Sequence, residues 1–137
     1  MKTSEAGIEF IKQAEGYAAT PYKDNGHIAW GYGHDQQSGE TAPPMISPPD
    51  ADLLLRHDLE ARYEPSVNAL IPSECTQNQF DALVDFAYNL GTSSLRMMVG
   101  HGWDKVPEQI GRWNHVNGKE DVVLNSRRVA EIALFNS

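Results

Sequence analysis

Residues 15–34 read EGYAATPYKDNGHIAWGYGH, and the organisation of the whole chain turns on this stretch. It begins where a helical pattern ends. Ile8, Ile11 and Glu15 fall at i, i+3 and i+7 on one face of a helix predicted over residues 4–15. Gly16 follows, at the position where helices commonly stop. Asn25-Gly26 comes next, flanked by Tyr22 and by the run His27-Ile28-Ala29-Trp30, which is a strong short-range hairpin signal. Gly31 and Gly33 permit sharp turns or close approach of the backbone. The stretch therefore predicts a helix end followed by a small antiparallel sheet.

The remainder predicts helices. DQQSGETAPPMISPPD, residues 35–50, is rich in Pro, Ser and Gly and reads as a connector. Ser47, with Pro48 and Asp50, has the form of an N-cap, a first-turn proline and an acidic partner. The helix it starts should run until Pro65 stops it. Thr76 and Gln79 form a capping box. It opens QNQFDALVDFAYNLG, whose apolar residues Phe80, Leu83, Val84, Ala87 and Leu90 predict a central helix closed by Gly91. Shorter helical patterns follow around Leu95–Val99, Trp103–Trp113 and Ser126–Phe135. Strands gathered early and helices afterwards make an α+β class. One domain over residues 1–137 is expected, with a small lobe at about 16–46 and a helical lobe at about 47–137 that also takes helix 4–15.

Composition narrows the function. A chain of 137 residues with 40% hydrophobic residues suits one packed domain. A formal net charge of −8 argues against nucleic acid or an anionic membrane surface as the partner. No apolar run approaches the roughly 20 residues needed to span a bilayer. MKTSEAGIEF lacks the pattern of a signal peptide, so synthesis in the cytoplasm is expected. The single cysteine, Cys75, excludes an internal disulfide or a cysteine-based metal cluster and reads as a small structural residue.

Glu15 and Asp24 carry the chemistry. Glu15 continues an apolar stripe, so burial should disfavour its charged form, and it ends a helix, where the dipole disfavours an anion. Both effects raise its pKa, as a general acid at neutral pH requires. Asp24 before Asn-Gly is ordinary turn chemistry. A hairpin mouth can nevertheless bring it across a cleft from Glu15. One protonated and one ionised carboxylate flanking a cleft are the apparatus of glycoside hydrolysis. An aspartate nine residues after a glutamate is common, and spacing alone does not decide.

The set Glu15-Gly16, Tyr22-Lys23-Asp24 and Gly31-Tyr32-Gly33-His34 resembles the active-site signature of the phage-type lysozymes, the endolysin and muramidase family of the T-even phages. LLLRHDL (53–59), TQNQFDALVDFAYNLG (76–91), SLRMM with GWDKVPEQIGRW (94–113) and SRRVAEIALF near the end are similar to later parts of that family. The resemblance implies a lysozyme-like fold with the active-site cleft between the lobes. It implies an N-acetylmuramidase cutting the β-1,4 bond between N-acetylmuramic acid and N-acetylglucosamine, with peptidoglycan strands as partner and no cofactor or metal. Glu15 falls on the family's proton donor. Asp24 falls on the aspartate that holds water or stabilises developing positive charge. His34 and Asp58 fall on a structural ion pair. Arg127 looks like the arginine near the catalytic glutamate, with Arg128 the alternative. Asn89 matches an amide that hydrogen-bonds sugar, and Asp85 is a weaker candidate. Tyr32 or Trp30 is expected to contact a saccharide or to pack. Trp103 and Trp113 are expected to pack. A monomer that reaches the wall from the cytoplasm through a holin completes what the resemblance implies.

One position departs from the family. Many relatives carry threonine two residues before the first glycine of Gly-x-Gly-His, where this chain has Ala29. Alanine has no hydroxyl to hold the attacking water. Asp24 alone, or His27 on the shortened turn, takes that role, or the sugar's own hydroxyl closes to an anhydro product as in a lytic transglycosylase. A catalytically weak wall-binding homologue is the reading from another class. The acidity is a second departure, and it should favour walls that lack teichoic acids.

Overall fold

The computed structural model describes residues 1–137. Helix α1 (Glu5–Glu15) starts at Ser4, whose hydroxyl accepts from the Gly7 amide at 3.0 Å. The Ser4 amide donates to Asp81 Oδ1 at 3.0 Å, and the Ser4 hydroxyl also bonds Asp81. A Cβ on Gly7 would stand 2.6 Å from Asp81 Cγ, so only glycine lets α1 lie this close to that carboxylate. Ile8 and Ile11 turn inward as their spacing predicts. Gly16, at φ +75°, ends the helix with its N–H on the Lys12 carbonyl.

Strands β1 (Ala18–Asp24), β2 (His27–Gly31) and β3 (His34–Asp35) form an antiparallel sheet in the order β1-β2-β3. Asn25 and Gly26 both have positive φ, as a two-residue hairpin turn with right-handed strand twist requires. The register pairs Asp24 with His27, Tyr22 with Ala29, Ala29 with Asp35, and Trp30 with His34. Between Ala18 and Tyr22 the ladder is irregular, and Pro21, which has no N–H to give, sits there. The connector returns to the sheet where the Ile46 amide reaches the Ala19 carbonyl at 2.8 Å and the Tyr17 hydroxyl reaches the Ile46 carbonyl at 2.5 Å.

Helix α2 (Pro48–Asp58) is capped by Ser47, as expected. The expectation that Pro65 stops this helix is wrong. The chain passes through a wide π-helical turn at Leu59–Tyr63 into α3 (Glu64–Asn68), which contains Pro65. The Glu64 amide reaches the Leu59 carbonyl, five residues back, and this widened turn accommodates the proline, whose ring and missing N–H do not fit a regular α-helical ladder. Helix α4 (Gln77–Leu90) carries the predicted capping box, and every residue from Phe80 to Ala87 is buried. It is the axis of the core, which gathers Ile8 and Ile11 of α1, Leu55 of α2, Leu95 and Met98 of α5 (Thr92–Val99) and Ile110 of α6 (Val106–Gly111). The Trp103–Trp113 pattern is less regular than expected, with a 3-10 turn at Trp103–Lys105 before α6. Trp113 packs edge-on to Phe86 and Trp103 against Phe135. A hairpin of β4 (His115–Val116) and β5 (Lys119–Glu120) then turns on Asn117-Gly118, both at positive φ. Helix α7 runs Val122–Phe135, four residues longer at its start than the apolar pattern predicts, because Asp121 caps it by accepting from the Leu124 amide at 2.8 Å.

His34 joins the sheet to α2. Its Nδ1 lies 2.5 Å from Asp58 Oδ2, its Nε2 lies 2.8 Å from Glu40 Oε1, and the Trp30 ring covers it at 4.9 Å. Burial works against the imidazolium, but Asp58 and Glu40 outweigh it and hold the His34 pKa above its ordinary 6.5. A raised folded-state pKa means that this stabilisation is complete below about 6.5 and fades as pH climbs through the folded value. Asp58→Ala is expected to cost about 2–3 kcal/mol in acid and less at alkaline pH. Urea melts across that window measure it; a cost independent of pH would contradict a charged His34.

Candidate active site

Glu15 is the last residue of α1, and its side chain is only 18% exposed. One oxygen, Oε2, accepts from Arg127 Nη1 at 2.7 Å. The other lies over the backbone of Gly33, where a Cβ would come within 2.5 Å of Oε1. Gly33 has φ +82°, in the left-handed region that other residues adopt at a cost of roughly 1–2 kcal/mol. The Gly-x-Gly-His segment thus forms a floor that only glycine leaves open to the carboxylate. Gly33→Ala is expected to lower stability by about that strain and kcat by about a hundredfold, because the carboxylate must move by about an ångström. Kinetics with a parallel thermal melt check this; an unchanged kcat would show that the floor does not position Glu15.

Burial pushes the Glu15 carboxyl up from 4.5, Arg127 opposes it, and the charges of Asp85 and Asp35 add to the rise. Arg127 is itself fixed from behind. Its Nε donates to Asp85 Oδ2 at 3.0 Å and its Nη2 to Asp85 Oδ1 at 2.9 Å, a bidentate pair on a carboxylate with no exposed surface. Arg128, one residue on and about 100° around α7, points into the core instead. There its Nη2 meets Glu131 Oε1 and Asn89 Oδ1, each at 2.7 Å. Burial, and Asp85 beyond it, push the Glu131 carboxyl up, with Arg128 opposing them.

Of the two arginines, Arg127 is the one that reaches Glu15. Asn89 has its oxygen committed to Arg128 and lines a groove of about 370 Å³ between α1, α4 and α7, which Arg127 also lines. Tyr32 is packed: Lys12 Nζ lies 5.1 Å from its ring centre, Tyr17 tilts against it, and its carbonyl accepts from the Tyr88 hydroxyl at 2.7 Å. Trp30 is buried. Asp24 is exposed at the end of β1, its carboxylate free of protein hydrogen bonds, and His27 stands directly opposite it across the hairpin. The aromatic ring shared between the carboxylates is Tyr22, whose phenol is pushed up by burial and then by Glu15, Asp24 and Asp35. Tyr22 enters the sequence reading only in the hairpin signal and the Tyr22-Lys23-Asp24 motif, and Asp35 only as the start of the connector. Their adjacency comes from strand register, although Asp35 directly follows the histidine of the motif. No group of three or more His, Cys, Asp or Glu side chains is arranged to hold a metal ion.

The end of α1, α7 and the hairpin thus bring a largely buried glutamate, an arginine and a glycine floor together. The Phage lysozyme family model matches residues 12–131. The chain belongs to the phage lysozyme family. It is 39% identical to the endolysin of Bacillus phage PZA over 147 residues, which takes in all of this chain and 56% of that protein. It is 34% identical to the endolysin of Lactococcus phage c2, covering 99% of this chain and 61% of that one. The chain thus spans a little over half the length of these phage lysozyme relatives. Among solved structures, the muramidase domain of SpmX from Asticaccaulis excentricus superposes with a TM-score of 0.82 at 33% identity, covering 99% of this chain and 98% of that one. An endolysin from Escherichia coli O157:H7 phage FAHEc1 gives 0.81 at 29%, covering 98% and 93%.

Proposed function

We propose that this lysozyme-family chain is an N-acetylmuramidase that hydrolyses the β-1,4 bond between N-acetylmuramic acid and N-acetylglucosamine in peptidoglycan. The observation that carries the reading is Glu15, a largely buried carboxyl with a raised pKa held by Arg127, with the exposed carboxylate of Asp24 on the neighbouring hairpin, where Tyr22 feels the charge of both. Glu15 gives its proton to the glycosidic oxygen. Asp24, open to solvent, opposes the positive charge that develops at the anomeric carbon or holds the water. Arg127 keeps the Glu15 carboxyl aimed and stabilises the carboxylate left after proton transfer. The endolysin relatives support host cell lysis as the setting, with the chain acting as a monomer on wall strands after release through a holin.

Ala29 favours one second reading. With no hydroxyl at that position to hold water, the substrate's own hydroxyl closes on the anomeric carbon, as in a lytic transglycosylase. Digesting purified peptidoglycan and characterising the released ends separates the two. Free reducing N-acetylmuramic acid supports hydrolysis, 1,6-anhydro ends support the transglycosylase, and no release from intact protein would sink both.

A further inference from the structure

The sheet pairs Tyr22 with Ala29 and Ala29 with Asp35. Directly opposed residues of an antiparallel pair project to the same face with Cβ atoms about 4.5–5.5 Å apart. Tyr22, Ala29 and Asp35 therefore form one row across three strands. Asp24 and His27, two residues along from Tyr22 and Ala29, share that face one step nearer the turn. Ala29, in the middle of the row, is buried, so the position that lacks a hydroxyl is walled by Tyr22 on one side and Asp35 on the other.

We propose that Asp35 is a catalytic residue of this chain, whose carboxylate holds and deprotonates the attacking water beside Ala29. The inference rests on the hydrolase reading above. Asp35 is exposed, and no protein group hydrogen-bonds its carboxylate, because Gln37 Nε2 takes its backbone carbonyl instead. Its charge is felt at both Glu15 and Tyr22, so its carboxylate lies in their neighbourhood. Of the other carboxylates, Asp24 lies two pairs nearer the turn than Ala29, and Asp85 is fully buried with both oxygens on Arg127 and has no face for water. His27 sits two pairs farther toward the turn. In the reaction, the Glu15 proton goes to the leaving sugar oxygen as the bond from that oxygen to the anomeric carbon breaks. The water oxygen forms the new bond to that carbon and gives its proton to Asp35. Solvent then returns a proton to Glu15 and takes one from Asp35. Asp24 is left to stabilise the charged transition state. A solvated charge that blunts an edge strand is the plain alternative for Asp35.

The test is steady-state kinetics on soluble peptidoglycan fragments for the parent chain, Asp35→Asn, Asp35→Ala with added azide, and Asp35→Asn combined with Ala29→Thr. Removing the base should lower kcat by about a hundredfold or more with KM within about twofold. Azide should raise the rate of the alanine variant, and the Ala29→Thr change should restore tenfold or more by returning a hydroxyl to the row. A kcat within about threefold of the parent would overturn the proposal, and so would a loss that neither azide nor the threonine relieves. Failure of the hydrolase reading looks different, since the parent itself would then release no reducing ends.

Discussion

Glu15→Gln is expected to lower kcat on peptidoglycan by about a hundred- to ten-thousandfold while KM changes little, because the amide cannot give up a proton and general acid catalysis is worth about that much. Folding should not suffer. The Glu15 pKa is raised by burial, so its contribution to stability is complete below the ordinary carboxylate value of 4.5 and is lost as pH rises through the folded value. A neutral glutamine, whose oxygen still accepts from Arg127, removes that loss. The variant should therefore melt at or above the parent near neutral pH and show no advantage in acid. Paired melts at the two pH values, beside the kinetics, check both halves. Retained activity would remove Glu15 from the chemistry, and a lower melting temperature at neutral pH would contradict its buried placement.

Arg127→Met carries the second large effect. It strands Asp85, which has no exposed surface, without its bidentate partner. An uncompensated buried charge costs about 3–5 kcal/mol. It also removes the group that holds the Glu15 pKa down, so the carboxyl should stay protonated to higher pH. The alkaline limb of the kcat/KM profile should then move upward even as kcat falls, since the acid is no longer aimed. Adding Asp85→Asn should return much of the lost stability but not the activity, because the orphaned charge is gone and the orienting arginine is still missing. Denaturant titrations and pH-rate profiles of Arg127→Met, Asp85→Asn and the double variant measure this. An additive double variant would contradict the direct coupling.

What could be read from the sequence follows how local each signal is. The capping box at Thr76 and Gln79, the Ser47 cap and the Asn25-Gly26 turn are completed within a few residues, so they could be read directly. Asn117-Gly118 is the same turn signal, but its strands are two residues long and exposed, and no alternation marks them. The start of α7 was hidden because Val122 and Val123 are exposed, which breaks the apolar stripe that should announce the helix. Pro65 misled because a π turn resets the helix before it. In the site, the Glu15 environment was legible from its own helix. The choice between Arg127 and Arg128 was not, because it depends on the rotation of α7 against α4. Asp35 stands beside Ala29 only through strand register, which the sequence does not state.

On this reading Glu15 drives cleavage of the glycan by water. Digestion of purified peptidoglycan in heavy-oxygen water, with mass spectrometry of the released muropeptides, tests it most directly. The expected result is one heavy oxygen at the anomeric carbon of each new N-acetylmuramic acid end, and almost no release by Glu15→Gln under the same conditions. Unlabelled 1,6-anhydro ends, or labelled release that persists in Glu15→Gln, would contradict the account.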